Sequence, residues 1–218
     1  MRLTFRRLRH RSAPSLGLLA AATAVLLPLT SPALAGAGSA GVSATPWSLT
    51  PSGRPAKPAP GWTRFCARFP GECAAGATDA KQVSLTPRTW ATLVGINHDV
   101  NARIKAKTDR EHWGVGESWD LAEDGYGDCE DFQLVKRRKL VAAGFPRRAL
   151  RMTVVLDGAK AGHAVLMVRT DRGDLILDNT TDAVLPWHET RYTFVKREAD
   201  TETGWTWIGV ASPSVARR

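Results

Sequence analysis

The texture of this chain changes at Pro146, and that change restricts its fold more than any other feature. Before it, apolar residues recur at helical spacing; after it come short β-rich runs. In "SLTPRTWATLVGINHDVNARIKAKT", Trp90, Leu93, Ile96, Val100 and Ile104 share one helical face, and Thr86-Pro87 supplies an N-cap and first turn. A second helix runs from Cys129 to Ala143, with Asp128 at its N-cap, and Gly144 and Pro146 stop it. The runs 150–157, 163–170 and 174–179 read as strands, with Thr170-Asp171-Arg172-Gly173 as a hairpin turn, and "RYTFVKRE" and "GWTWIGV" as further strands. Helices first and an antiparallel meander after them define an α+β domain.

The N-terminus carries a different message. Five arginines precede an apolar stretch from about Leu16 to Leu29, and Ala33-Leu34-Ala35 follows. A basic start, a short apolar core and an A-x-A site describe a secretory signal peptide over residues 1–35. The apolar run is shorter than the roughly 20 residues that span a bilayer. A periplasmic or secreted chain with no membrane span after cleavage is the expectation. Losing those five arginines lowers the net charge from +9 to +4, too little to support a nucleic-acid partner. Residues 36–60, rich in Gly, Ala, Ser and Pro, read as a flexible leader, and residues 61–218 as one domain.

Three cysteines remain for an exported protein. Cys66 and Cys73 flank a Pro70-Gly71 turn and read most simply as a local disulfide, with two buried free thiols as the alternative. Cys129 is left odd. It lies in "GYGDCEDF", between Asp128 and Glu130 with Asp131 next, an awkward setting for a thiol that must ionise. The start of a helix favours a thiolate through the macrodipole, and a histidine can then serve as base and acid. In a 163–178 hairpin the start of one strand lies beside the end of the next, so His163 and Asp178 meet at one sheet edge. Cys129, His163 and Asp178 are therefore the candidate nucleophile, general base and orienting carboxylate. His98 and His112 lie in helix or loop, and His188 in a turn-like stretch. The basic run Lys136-Arg137-Arg138-Lys139 reads as solvated surface.

These residues carry a resemblance. "GYGDCEDFQLVKRRKLVAAGFPRRALRMTVV", "GHAVLMVRT" and "LILDN", with "VNARIKAKTDREHWGVGESW" and "FCARFPGEC" upstream, resemble the bacterial transglutaminase-like cysteine peptidases over residues 61–200. That group contains the LapG-type periplasmic proteases that release surface adhesins. The resemblance implies a papain/transglutaminase-like fold, with the nucleophile at a helix N-terminus packed on an antiparallel sheet. It implies Cys129 as nucleophile, His163 as base then acid, and Asp178 as orienter. It also implies Ca2+ held by Asp128 and Glu130, with Asp131 as a helper; hard oxygen ligands suit that ion. The alternative role for these acids is a cap and helix-dipole complement. Where relatives carry Trp-Gly-x-x-Asp-Tyr-Trp, this chain has Trp113 to Trp119 with Glu117-Ser118 in place of Asp-Tyr.

The implied activity is cleavage of a surface or periplasmic protein substrate through an acyl-enzyme, with an inhibitory membrane receptor as a further partner of such enzymes. Two rival readings are a transglutaminase-type acyltransferase and a non-catalytic calcium-regulated binding module.

Overall fold

The structure is a computed structural model, describing residues 47–74, 76, 78–200 and 204–209. The signal peptide expected over 1–35 lies outside the described residues, as do 36–46 of the leader. The helices are α1 (Pro60–Arg68), α2 (Pro70–Cys73), α3 (Pro87–Arg103), α4 (Asp109–Trp113) and α5 (Cys129–Ala142). The strands are β1 (Pro51–Ala56), β2 (Lys105–Ala106), β3 (Tyr126–Gly127), β4 (Leu150–Leu156), β5 (Gly162–Thr170), β6 (Gly173–Leu177), β7 (Leu185–Pro186), β8 (Thr193–Glu198) and β9 (Trp205–Ile208).

Seven strands form one sheet in the order β1-β9-β8-β4-β5-β6-β7, every neighbouring pair antiparallel. Alternation along β5 divides its apolar residues between two cores. Leu166 and Val168 pack with Leu134 and Leu140 of α5, Leu93 of α3 and Trp62 and Phe65 of α1. Val165 and Met167 face the other way and join Leu49, Val155, Ile176, Phe194 and Ile208. The expected α+β architecture is present, with helices before the main run of strands.

Local signals set the ends of the long helices. Thr86 caps α3, its Oγ1 accepting the Thr89 N–H at 3.2 Å while its own N–H donates to Thr89 Oγ1 at 2.8 Å. Helix α5 ends at Gly144, whose φ of 91° is left-handed. The Phe145 N–H reaches back to the Leu140 carbonyl at 3.0 Å, and the Gly144 N–H to Val141 at 2.9 Å. That pairing satisfies the last carbonyls and stacks Phe145 with Leu140 in the core.

Two sequence expectations need correction. The leader expected to be flexible over 36–60 is ordered where it is described. Leu49 is 1% exposed in the second core, Pro51–Ala56 pairs with β9, and α1 begins at Pro60. Pairing with a strand some 150 residues away supplies hydrogen bonds that the Pro/Gly composition does not advertise. The basic run on α5 is also not all surface, for Lys136 and Arg137 are buried. Arg137 lies 4.8 Å over the Trp62 ring and donates to both Glu198 oxygens, at 3.2 and 3.1 Å, and to the Glu72 carbonyl at 2.9 Å.

Cys66 and Cys73 form a disulfide, closing the short loop that carries Glu72. Glu72 in turn pairs with Arg138 at 2.9 Å and Arg147 at 3.4 Å. The disulfide thus anchors the segment on which three arginines converge.

Replacing Leu49 by Ala tests the ordered arm. The loss should be about 2–5 kcal/mol by urea denaturation, the cost of emptying a core site; an unchanged midpoint would mean that residues 47–56 do not belong to the folded unit.

Candidate active site

The site begins at the first turn of α5. Asp128 is its N-cap and Asp131 folds back, so that the Asp128 N–H donates to Asp131 Oδ2 at 3.3 Å. Position 127 must be glycine for this to happen, because a Cβ there would meet the Asp131 side chain at 2.8 Å. The other Asp131 oxygen accepts the Asp120 N–H at 2.7 Å, tying the preceding loop to the helix start. Strands β2 and β3 pair in parallel and bring residue 109 alongside. The Asp109 N–H donates to Asp128 Oδ2 at 3.3 Å, and Asp109 Oδ2 accepts the Ser118 N–H.

Cys129 is half-buried, with its sulfur between helix and sheet. Its Sγ accepts the Ala164 N–H at 3.4 Å, which fixes the helix start against the beginning of β5. Glu130 Oε2 stands 3.1 Å from the same sulfur. A helix start that favours the thiolate requires the flanking acids to point away, and Glu130 does not. The Cys129 thiol is pushed upward by burial and then by the Glu130 charge, and is held as the neutral thiol.

His163 and Asp178 meet as the hairpin geometry predicts. Leu166 pairs with Leu177 across β5 and β6, and His163 Nε2 lies 2.9 Å from Asp178 Oδ1. That leaves Nδ1 as the ring nitrogen free to serve a thiol. Asp178 also accepts the Thr180 N–H at 3.1 Å, the Thr180 hydroxyl at 3.0 Å and the Tyr192 hydroxyl at 2.5 Å. Burial opposes its charge, but the hydrogen bonds from His163, Tyr192 and Thr180 prevail and hold its carboxyl at about 2.

Cys129 and His163 line one cavity of about 270 Å3 with Glu117, Trp119, Glu130 and Lys196. Among the described residues no hydrogen bond joins Cys129 to His163; the sulfur's partners are Glu130 and Ala164. Glu117, the longer acid of the Trp113–Trp119 loop, accepts the Trp119 Nε1–H at 2.5 Å and so braces the cavity wall.

The three acids flagged in the sequence do not form one group. Asp128 stands where two clusters meet: Glu130 and Cys129 on one side, Asp109 and Asp131 on the other, with candidate ligand atoms within 4.8 Å inside each cluster. Asp128 Oδ1 is buried with no hydrogen-bond partner, so the most central carboxylate has an oxygen to spare. Asp109 was not visible as a ligand candidate, since it lies nineteen residues upstream and only the β2–β3 pairing places it here.

Polar residues of α3 stand behind Asp178. Asn97 Nδ2 donates to the Thr181 and Asp182 carbonyls, each at 3.1 Å, and Asn101 Nδ2 to the Asp178 carbonyl at 3.0 Å. These side chains face the site rather than solvent and clamp the loop that carries Asp178. The remaining histidines serve elsewhere: His98 near Asp182 at the surface, His112 on Asp124 at 2.7 Å, and His188 stacked on Trp47.

A cysteine at a helix N-terminus, set against an antiparallel sheet whose strand β5 begins with Gly162 and then a carboxylate-bound histidine, defines a transglutaminase-like thiol enzyme. The chain belongs to the bacterial transglutaminase-like cysteine proteinases, whose family model matches residues 52–214. Among solved structures it is similar to Legionella pneumophila LapG, at 27% identity over 59% of this chain and 72% of that one, with a TM-score of 0.46. It is likewise similar to Legionella pneumophila LapG (calcium-bound), at 25% identity over 62% and 77%, with a TM-score of 0.49. A search of curated proteins gives no match.

The acid cluster makes stability depend on pH. Burial, followed by neighbouring Asp128, pushes the Glu130 carboxyl up to about 9, and burial pushes Asp131 up to about 8. Asp109 and Asp174 are raised in the same direction, also by burial. The unfolded chain releases these protons near pH 4 while the folded chain keeps them. The folded state then binds more protons, and stability falls as pH rises. Asp178 has the opposite sign, but its contribution is complete above its unfolded value of 3.8. With a metal chelator present, the thermal midpoint should drop between about pH 5 and about pH 7, below the range where Lys136 begins to oppose the trend. A midpoint that climbs over that interval would overturn this account of the cluster.

Proposed function

We propose that this cysteine peptidase works through Cys129 as nucleophile, His163 as general base and then acid, and Asp178 as the carboxylate that orients the imidazole. The observation that carries the reading is the meeting of Cys129 and His163 in one cavity while His163 Nε2 is bound to Asp178 at 2.9 Å. With Nε2 so engaged, Nδ1 takes the thiol proton as Sγ attacks a peptide carbonyl carbon. The same nitrogen returns the proton to the leaving amine, and water then releases the acyl group from sulfur. For the first step Glu130 must withdraw from Cys129, because a thiol engaged by the Glu130 carboxyl group is not presented to the imidazole.

The chemistry of the acids suits a calcium ion, which would supply the positive charge that lets crowded carboxylates ionise together. Asp128 would be its central ligand, through the spare Oδ1, with Glu130 from one side and Asp131 from the other. Asp109 joins them as a fourth acid. This reading gives Glu130 an alternative partner to the sulfur.

The signal-like start of the chain and the Cys66–Cys73 disulfide support export to a periplasmic or extracellular setting, with residues 1–35 removed. Cell-surface proteins such as adhesins are then the proposed substrates, and a membrane receptor the proposed inhibitor. Both rest on the resemblance, since fold and nucleophile do not fix the substrate.

Incubation with candidate surface proteins and calcium tests the catalytic assignment. Cys129→Ala should abolish cleavage, and His163→Ala should slow it by about 10²–10⁴, the range for general acid–base catalysis. Amine incorporation without cleavage would transfer the assignment to an acyltransferase. Cleavage retained in Cys129→Ala would end it.

Calorimetric titration tests the metal separately. Wild type should bind Ca2+ with measurable heat, and Asp128→Ala should lose most of it. The absence of heat in wild type removes calcium from the scheme.

A further inference from the structure

The hydrogen bonds of Asp178 point to a residue that the catalytic assignment leaves unused. Oδ1 serves both His163 and the Thr180 N–H, and so cannot by itself fix the rotation of the carboxylate. The turn of the carboxylate is set by what holds Oδ2. The two groups there are the Thr180 hydroxyl at 3.0 Å and the Tyr192 hydroxyl at 2.5 Å.

Tyr192 is the more rigid of the two. It arrives from a different part of the chain, just before β8, and packs against the second core of the sheet. Its ring lies 5.5 Å from that of His163. The two hydroxyls are 3.3 Å apart, so Thr180 can lean on Tyr192. The backbone of the same loop is already clamped by Asn97 and Asn101, which leaves the side-chain torsion of Asp178 as the freedom still to be removed.

We propose that Tyr192 is a positioning residue for the reaction: by donating to Asp178 Oδ2 it turns Oδ1 onto His163 Nε2 and so keeps Nδ1 for Cys129. This inference rests on the assignment of Cys129, His163 and Asp178. Burial and the Asp178 carboxylate push the Tyr192 hydroxyl up to about 12, so it remains a donor under all ordinary conditions. The other charges near this group are Lys136 of α5, on which Asp178 and Asp182 both act, and Asp157 near Tyr192. Lys136 Nζ is buried and makes no hydrogen bond among the described residues, so it cannot replace the tyrosine as a donor.

Two readouts on the full chain, at one fixed pH and calcium concentration, decide the matter. The first is the rate at which iodoacetamide alkylates Cys129. The second is the downfield proton resonance of the His163 ring N–H held by Asp178, identified by its loss in His163→Ala. Tyr192→Phe keeps the ring and its packing while removing the donor. It should slow alkylation by about tenfold, the scale of one lost hydrogen bond to a charged group, and should shift or broaden the His163 resonance with little change in thermal midpoint. On an Asp178→Asn background the same substitution should add no further loss, because the two act through one contact. A Tyr192→Phe protein that matches wild type in both readouts, while His163→Ala loses both, overturns the proposal and leaves the catalytic assignment standing. Should His163→Ala alkylate like wild type, the assignment itself fails, and the positioning role fails with it.

Discussion

The candidate site depends on how helix α5 meets strand β5. One contact expresses that meeting: the Ala164 N–H aimed at Cys129 Sγ, 3.4 Å away. Leu134 and Leu140 of the helix pack with Leu166 and Val168 of the strand, so apolar burial along the whole length holds the contact in place. The residue before Ala164 is His163, and the hairpin brings Asp178 to it. Helix burial, strand register and a tight turn together locate three chemical groups that lie far apart in the chain.

That arrangement has a cost at the helix start. Asp128, Glu130 and Asp131, joined by Asp109, are crowded around one turn, and burial penalises the charge of three of them. Much of the local structure answers this crowding. Asp131 is spent on the Asp120 and Asp128 amides, and Asp109 on the Ser118 amide. Glu130 turns to the sulfur. Asp128 keeps a buried oxygen with no hydrogen-bond partner among the described residues.

What could be read from the sequence was what depends on near neighbours. Thr86-Pro87 announced the start of α3, Gly144 and Pro146 the end of α5, and the Thr170–Gly173 turn set the register that joins His163 to Asp178. What could not be read depends on distant partners. Nothing in Lys136-Arg137 tells that Trp62, Glu72 and Glu198 wait to enclose the guanidinium. Nor does "PSGRPA" show that β9 will complete its hydrogen bonds. The direction of Glu130 could not be read for the same reason. Its rotamer is chosen by a buried site assembled from α5, β5 and the loop before the helix, not by its place beside a cysteine.

The Cys66–Cys73 disulfide uses the only two other cysteines of the chain. Cys129 therefore has no intramolecular thiol to rescue it once oxidised, and a sulfenic acid formed there could only be capped from outside or oxidised further. Susceptibility to that chemistry follows thiolate character and exposure. A sulfur that is half-buried, neutral and bonded to Glu130 is a poor target for oxidants. The contact with Glu130 thus also shelters the proposed nucleophile from oxidants.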